Sequence, residues 1–196
     1  MEKNRIEPFR GPARKRRLTN LGGSEGAQLV ELAVILPLLM VIIVGIFDFS
    51  QAFNLKQRLG NAAFQGARVG SSEPSADLSQ AAPTSVTAIR DVVDTYLRRA
   101  DISDCALNTA VPASGPPLTW TYTVACTSGT FTLTIQRDDA FPMTVSSVTE
   151  YVVYTRVKIS YPYQWTFNRV IGLVVPGASY AGVSQLTTVA IMPNQD

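Results

Sequence analysis

Four aspartates and two cysteines are the residues of this chain whose types and spacing could do chemistry. Asp101 and Asp104 stand three apart, and Asp138 and Asp139 are adjacent. Either pair could act as a carboxylate dyad in acid–base catalysis or contribute to a calcium site. Both lie beside turns, where aspartate commonly hydrogen-bonds nearby backbone, and that local role accounts for them. No spacing resembles an EF-hand, a P-loop or a nucleophile elbow. The chain has no histidine. That excludes Ser-His-Asp and Cys-His catalysis, histidine zinc sites and a histidine pH switch. A hydrolase would need an acid pair or a serine nucleophile that works without histidine. Cys105 and Cys126 are too few for a four-ligand metal site but enough for one disulfide. The expectation is a non-enzyme with no catalytic residues, no metal and no cofactor.

The elements around these residues explain more than the residues do. The chain has 196 residues, 46% hydrophobic and only 16% charged, with a formal net charge of +2. That suits one domain, or one domain with an appendage, and excludes a disordered charged chain. The charge is unevenly placed. Lys3, Arg5, Arg10, Arg14, Lys15, Arg16 and Arg17 face only Glu2, Glu7 and Glu25 in residues 1–26, while acids exceed cations in the remainder. A basic arm followed by an apolar run points to a membrane surface and not to nucleic acid.

The run is LAVILPLLMVIIVGIF, Leu32 to Phe47, sixteen residues without a charge. Extended back to Leu29 it spans about 28 Å as a helix, close to the hydrocarbon thickness of a bilayer. Cations precede it and Asp48 follows it, so the positive-inside rule keeps the N-terminus cytoplasmic and exports everything after about residue 50. Ser50-Gln51-Ala52 would serve as a signal-peptidase site. The helical pattern nevertheless continues past it through Phe53, Leu59, Ala62, Ala63 and Ala67, which favours an anchor over a cleaved signal.

Glu31 lies inside the start of this helix, five residues beyond Gly26. An ionisable group there costs free energy unless it is paired or reaches the headgroups. A basic leader, a glycine, a glutamate at the fifth following position and an unbroken helix together resemble a type IV prepilin processing site. The resemblance implies cleavage by a membrane-embedded prepilin peptidase between Gly26 and Ala27. It also implies that Glu31 pairs with the new α-amine of a neighbouring subunit, since buried charges are tolerated as pairs.

From Gly26 to Gly70 the chain resembles the TadE-like family of the tight-adherence (Tad) pilus system, whose members are pseudopilins or minor pilins. The resemblance rests on Val30-Glu31, the apolar run into Pro37, Gly45-Ile46-Phe47-Asp48-Phe49, and Asn61-Ala62-Ala63-Phe64-Gln65-Gly66-Ala67-Arg68. Leu32 and Ala27 stand where many pilin-like proteins carry phenylalanine, which argues against an ordinary major pilin or a general-secretion pseudopilin.

Each of these residues also has a plainer role. Pro37 should kink the helix by removing one hydrogen bond. Asp48 between Phe47 and Phe49 reads as the polar-aromatic rim of the membrane. Ala63, Gly66, Ala67 and Gly70, with Arg68 beside them on the polar side, form a small-residue face suited to close packing of a helix or sheet. Equally, Gly66 and Gly70 could simply weaken the helix and end it near Ser71-Ser72-Glu73-Pro74.

The exported part reads as one α+β domain. Thr84 or Ser85 can cap a helix to about Ala100, with Val86, Ile89, Val93, Tyr96 and Leu97 on one face. Residues 101–117, rich in proline, read as a loop. Alternation predicts strands at 118–126, 130–136, 148–160 and 181–192, the first two joined by a turn at Thr127-Ser128-Gly129. The segment 161–177 is apolar and loop-like, either core or an exposed contact patch. Cys105 and Cys126 would lie outside the cytoplasm, where one disulfide persists.

The fold class expected is α+β and pilin-like. A long N-terminal transmembrane and amphipathic helix precedes a second helix packed on a small antiparallel sheet of about four strands. The expected organisation is a basic cytoplasmic leader over 1–26, the TadE-like helix over 27–72 and an extracytoplasmic α+β domain over 73–196. The resemblance implies a subunit of Tad or type IVb pilus assembly in the cytoplasmic membrane, whose partners are the prepilin peptidase and other pilin-like subunits. The alternative is a generic single-pass membrane protein with an extracytoplasmic binding domain.

Overall fold

The computed structural model describes residues 24–145, 148–165, 177 and 183–195. The leader up to residue 23 and most of the apolar segment 161–177 lie outside the described residues. Two compact units divide the chain between Leu39 and Met40.

Helix α1 runs from Ser24 to Ser72. Its one interior residue without a donor is Pro37, and the helix is continuous across it. The helix stops where side chains take over its last carbonyls. Ser71 Oγ donates to Arg68 O at 2.8 Å, Ser72 Oγ donates to Val69 O at 3.0 Å, and Pro74 follows.

In the second unit α1 buries a stripe of Ala52, Leu59, Ala62, Ala63, Gly66, Ala67 and Gly70. These recur every three, four or seven residues, so they share one face. Helix α2, Thr84–Arg99, buries Val86, Ile89, Val93 and Leu97 by the same spacing. Neither Thr84 nor Ser85 caps it with a side chain. The carboxylate of Asp77 does so from the preceding loop, accepting from the Ser85 amide and the Ser85 hydroxyl, both at 2.8 Å. Burial pushes the Asp77 carboxyl up, but the Ser85 hydrogen bonds and the Arg137 charge outweigh it and hold the group below its ordinary value.

The sheet has five antiparallel strands in sequence order: β1 Ala113–Gly115, β2 Thr119–Cys126, β3 Gly129–Val145, β4 Val148–Gln164 and β5 Val183–Pro193. Three of its strands depart from the sequence reading, β3 among them, since it runs on from the expected end at 136 to Val145. The segment 101–117 is not wholly loop, since it holds a 3-10 turn at Leu107–Thr109 and the short edge strand β1. Pro112 and Pro116-Pro117 flank β1 and hide it from any alternation test. Strand β4 also runs on to Gln164, taking in the first four residues of the segment read as loop.

One sheet face builds the core. Trp120, Ile135, Val157 and Ala190 form one cross-strand row, and Tyr122, Leu133, Ile159 and Thr188 the next. The first three of each row are buried against α1 and α2. The other face carries Thr121, Thr123, Thr132, Thr134, Lys158 and Thr187, the polar alternation of a one-sided sheet. A bulge between Gln136 and Asp139 interrupts the β3–β4 register. Within it Arg137 turns inward, fully buried, and its Nη2 donates to the Glu73 carbonyl at 2.8 Å.

Candidate functional site on the N-terminal helix

The residues singled out for processing and pairing all lie on the first unit's stretch of α1. Gly26, Ala27, Glu31 and Pro37 are exposed there. A Cβ built on Gly26 meets nothing within 4 Å, so packing does not require glycine at that position. Glu31 belongs to neither of the two ion pairs among the described residues. Around it the apolar side chains face outward. Leu29 is 68% exposed, Val34 71% and Leu38 61%. In a water-soluble fold so much contiguous apolar surface would be covered. Among the described residues, α1 is the one helix long and apolar enough to cross a membrane.

Further along, the small residues have a defined use. A Cβ on Gly66 would lie 2.8 Å from Val93 Cγ2, and one on Gly70 would lie 2.6 Å from Thr155 Cγ2 and 2.7 Å from Ile89 Cδ1. Ala63 and Ala67, on the same face, are fully buried. The small face is therefore filled by α2 and β4 of the same chain. Arg68 stands apart from this group: its side chain is exposed, so it does not share in the packing.

Sequence reasoning missed the role of Asp48. Reading it as membrane rim places it in contact with water, whereas it is 3% exposed. Tyr163 of β4 donates its phenolic proton to Asp48 Oδ1 at 2.8 Å and also approaches Asp48 O at 3.3 Å. Burial, then the hydrogen bond to Asp48 and its charge, push the Tyr163 hydroxyl up to about 12. Rings reinforce the contact. Phe49 and Tyr163 each meet Trp165, with centroids 5.1 Å and 5.0 Å apart, and Trp165 Nε1 donates to Ser184 Oγ at 2.7 Å. An acid between two phenylalanines, and a separate segment with tyrosine and tryptophan two apart, were the available signals. Nothing in the sequence pairs them.

The sulfurs and aspartates are distributed as follows. Cys105 and Cys126 are joined in a disulfide with Cα atoms 5.2 Å apart, tying the turn after α2 to the end of β2. Asp104 is a close neighbour of the buried Asp94, and Asp101 is exposed. Burial first, then the neighbouring Asp104, raise the Asp94 carboxyl above its ordinary value, against the opposing charge of Arg98 at 3.4 Å. The side chains of Asp138 and Asp139 lie outside the described residues. Among the described residues no three acidic or cysteine side chains converge on a point that could hold a metal.

Residues 26–68 match the model of the family described as TadE-like protein. The match begins at Gly26 and ends at Arg68, within α1. It associates this segment with the pilin-like proteins of the Tad pilus system. No curated protein and no solved structure matches the chain.

Proposed function

We propose that this chain is a non-enzymatic pseudopilin or minor pilin that takes part in assembling a Tad (type IVb) surface pilus. One observation carries the reading: the TadE-like match falls on a helix whose apolar side chains are exposed. In this reading residues 1–26 are a cytoplasmic leader, residues 27–72 carry the membrane span and its amphipathic continuation, and residues 73–196 fold outside the cytoplasmic membrane. The prepilin peptidase cuts between Gly26 and Ala27. The freed amine and Glu31 of adjacent subunits then neutralise one another while the apolar helices pack side by side. The sheet domain makes the lateral contacts.

The test is the N-terminus of the membrane-extracted protein, by intact mass and terminal sequencing, with the cognate peptidase present. An Ala27 start supports the reading, and Gly26→Ala should abolish it without affecting membrane insertion. A Met1 start leaves an ordinary single-pass protein, and a Phe53 start leaves a secreted domain. Fibre assembly that survives Glu31→Ala would overturn the charge-pairing step.

A further inference from the structure

A groove of about 440 Å³ opens beside α1 a few residues past the apolar run, bounded by that helix, by the turn after α2 and by Tyr163 of β4. Its lining is chemically divided. Phe47 and Leu55 give it an apolar wall, Gln51 and Asn54 place amides between them, and Arg58 and Asp101 bring one charge of each sign. The two charges do not neutralise each other. Neither Arg58 nor Asp101 enters an ion pair among the described residues. Arg58 Nη1 instead donates to Ala100 O at 3.0 Å, which fixes the guanidinium beside the Asp101 backbone and leaves its other N–H groups available. Asp101 has a φ of +57°, a conformation that aspartate tolerates better than most side chains.

Opposite charges held apart in one groove, next to amide donors and an apolar wall, are complementary to a zwitterion attached to a hydrocarbon chain. The position along α1 fits that chemistry. Exposed apolar side chains continue to Phe53, and Arg58 lies only about 7.5 Å further along the helix. Its long side chain leans back toward the helix N-terminus, which brings its charge closer to the headgroup level. We infer that this groove binds the headgroup of an aminophospholipid, its phosphate on Arg58 and its primary ammonium on Asp101. The inference rests on the membrane-spanning reading of α1 given above.

The test uses the full-length protein in mild detergent, incubated with phosphatidylethanolamine, phosphatidylglycerol or phosphatidylcholine, with bound lipid counted by native mass spectrometry. Phosphatidylglycerol keeps the phosphate but has no amine, and phosphatidylcholine has a cation with no N–H to donate. The expected result is retention of one phosphatidylethanolamine, about tenfold more tightly than either of the others. Asp101→Asn keeps the backbone conformation, since asparagine also tolerates positive φ, and should equalise phosphatidylethanolamine and phosphatidylglycerol without lowering Tm. Arg58→Gln should weaken both lipids alike, and Arg58→Lys should restore most of the binding. Equal retention of the three lipids by the unaltered protein would overturn the inference, as would an ethanolamine preference that survives Asp101→Asn. Binding of soluble phosphoethanolamine without lipid retention would assign the groove to a free phosphate ester and overturn the lipid. Alkaline carbonate extraction separates the two failures. An extractable protein sinks the membrane reading itself, while an inserted protein with no lipid preference sinks only the groove.

Discussion

Tyr163 and Asp48 stand 115 positions apart in the chain and are joined by a 2.8 Å hydrogen bond that links β4 to α1. Asp48 is nearly sealed from solvent, so the bond works in surroundings where a charge-assisted hydrogen bond is strong and its loss is costly. Tyr163→Phe should destabilise the second unit by about 1.5–3 kcal/mol, the range for a hydrogen bond to a charged group. Thermal unfolding in detergent reads this directly, and an unchanged midpoint would show that the bond contributes nothing.

The same pair sets an alkaline limit. The Tyr163 hydroxyl is raised to about 12 from an ordinary value of 10.0. The stability it contributes is therefore complete below pH 10, declines between 10 and about 12, and is lost above that. Unfolding midpoints measured from pH 9 to 12 should fall in that window, and Tyr163→Phe should flatten the fall. Ultraviolet titration of the folded protein should show a tyrosine ionising near the upper end.

Glycines of one helix should divide into two classes. Alanine in place of glycine favours a helix by about 1 kcal/mol, whereas overpacking a filled core costs about 1–3 kcal/mol. At Gly70 the added carbon meets two side chains below 3.0 Å, and at Gly66 one. Gly70→Ala should therefore lower Tm most and Gly66→Ala less. Gly26→Ala, with open space around it, should not lower Tm at all. Equal Tm values for the three variants would refute the packing role of this face.

Asp94 responds to pH with the opposite chemistry to Asp77. Its carboxyl is raised, so the fold favours the protonated form. The stability this contributes is complete below the ordinary aspartate value of 3.8 and is lost as pH rises through the higher value in the fold. Asp94→Asn cannot ionise and keeps the shape of the side chain. It should raise Tm at neutral pH and weaken the pH dependence above 3.8. A lower Tm at neutral pH would mean that the ion pair with Arg98 outweighs the repulsion from Asp104.

Reduction of the Cys105–Cys126 bond, which closes a loop of 21 residues in sequence separation, should cost about 2–4 kcal/mol. Unfolding with and without reductant, beside a Cys105→Ser/Cys126→Ser variant, measures it. The variant should be insensitive to reductant.

The parts of the fold that could be read from the chain are those where one local rule dominates. The apolar stretch from Leu29 to Phe47 has a single physical interpretation as a helix, and Trp120, Tyr122, Phe131, Leu133 and Ile135 alternate cleanly because one side of their sheet is buried. The short strand β1 was not legible, since its prolines suppress the strand pattern and its pairing with β2 is a tertiary event. Nor was the capping of α2 by Asp77. A carboxylate that accepts from a residue eight positions later, Ser85, leaves no spacing signature of the kind an adjacent cap does. Asp48 was misplaced for a related reason. Alternation and periodicity record which residues are apolar, and an acid is buried only when a distant partner, here Tyr163, comes to meet it.

The end of α1 is completed from far along the chain. The amide of Gln195, just beyond β5, donates to the Ser71 carbonyl at 2.8 Å, and the neighbouring Asn194 accepts from Thr155 Oγ1 at 2.8 Å. Synthesis proceeds from the N-terminus, so α1 exists long before the residues that close its last turn. A stalled or truncated chain then keeps Ser71 unsatisfied and β4 unpaired along one edge. Closure of α1 is thus among the last contacts to become available: only a chain synthesised through β5 can supply the Gln195 amide to Ser71 and pair the outer edge of β4.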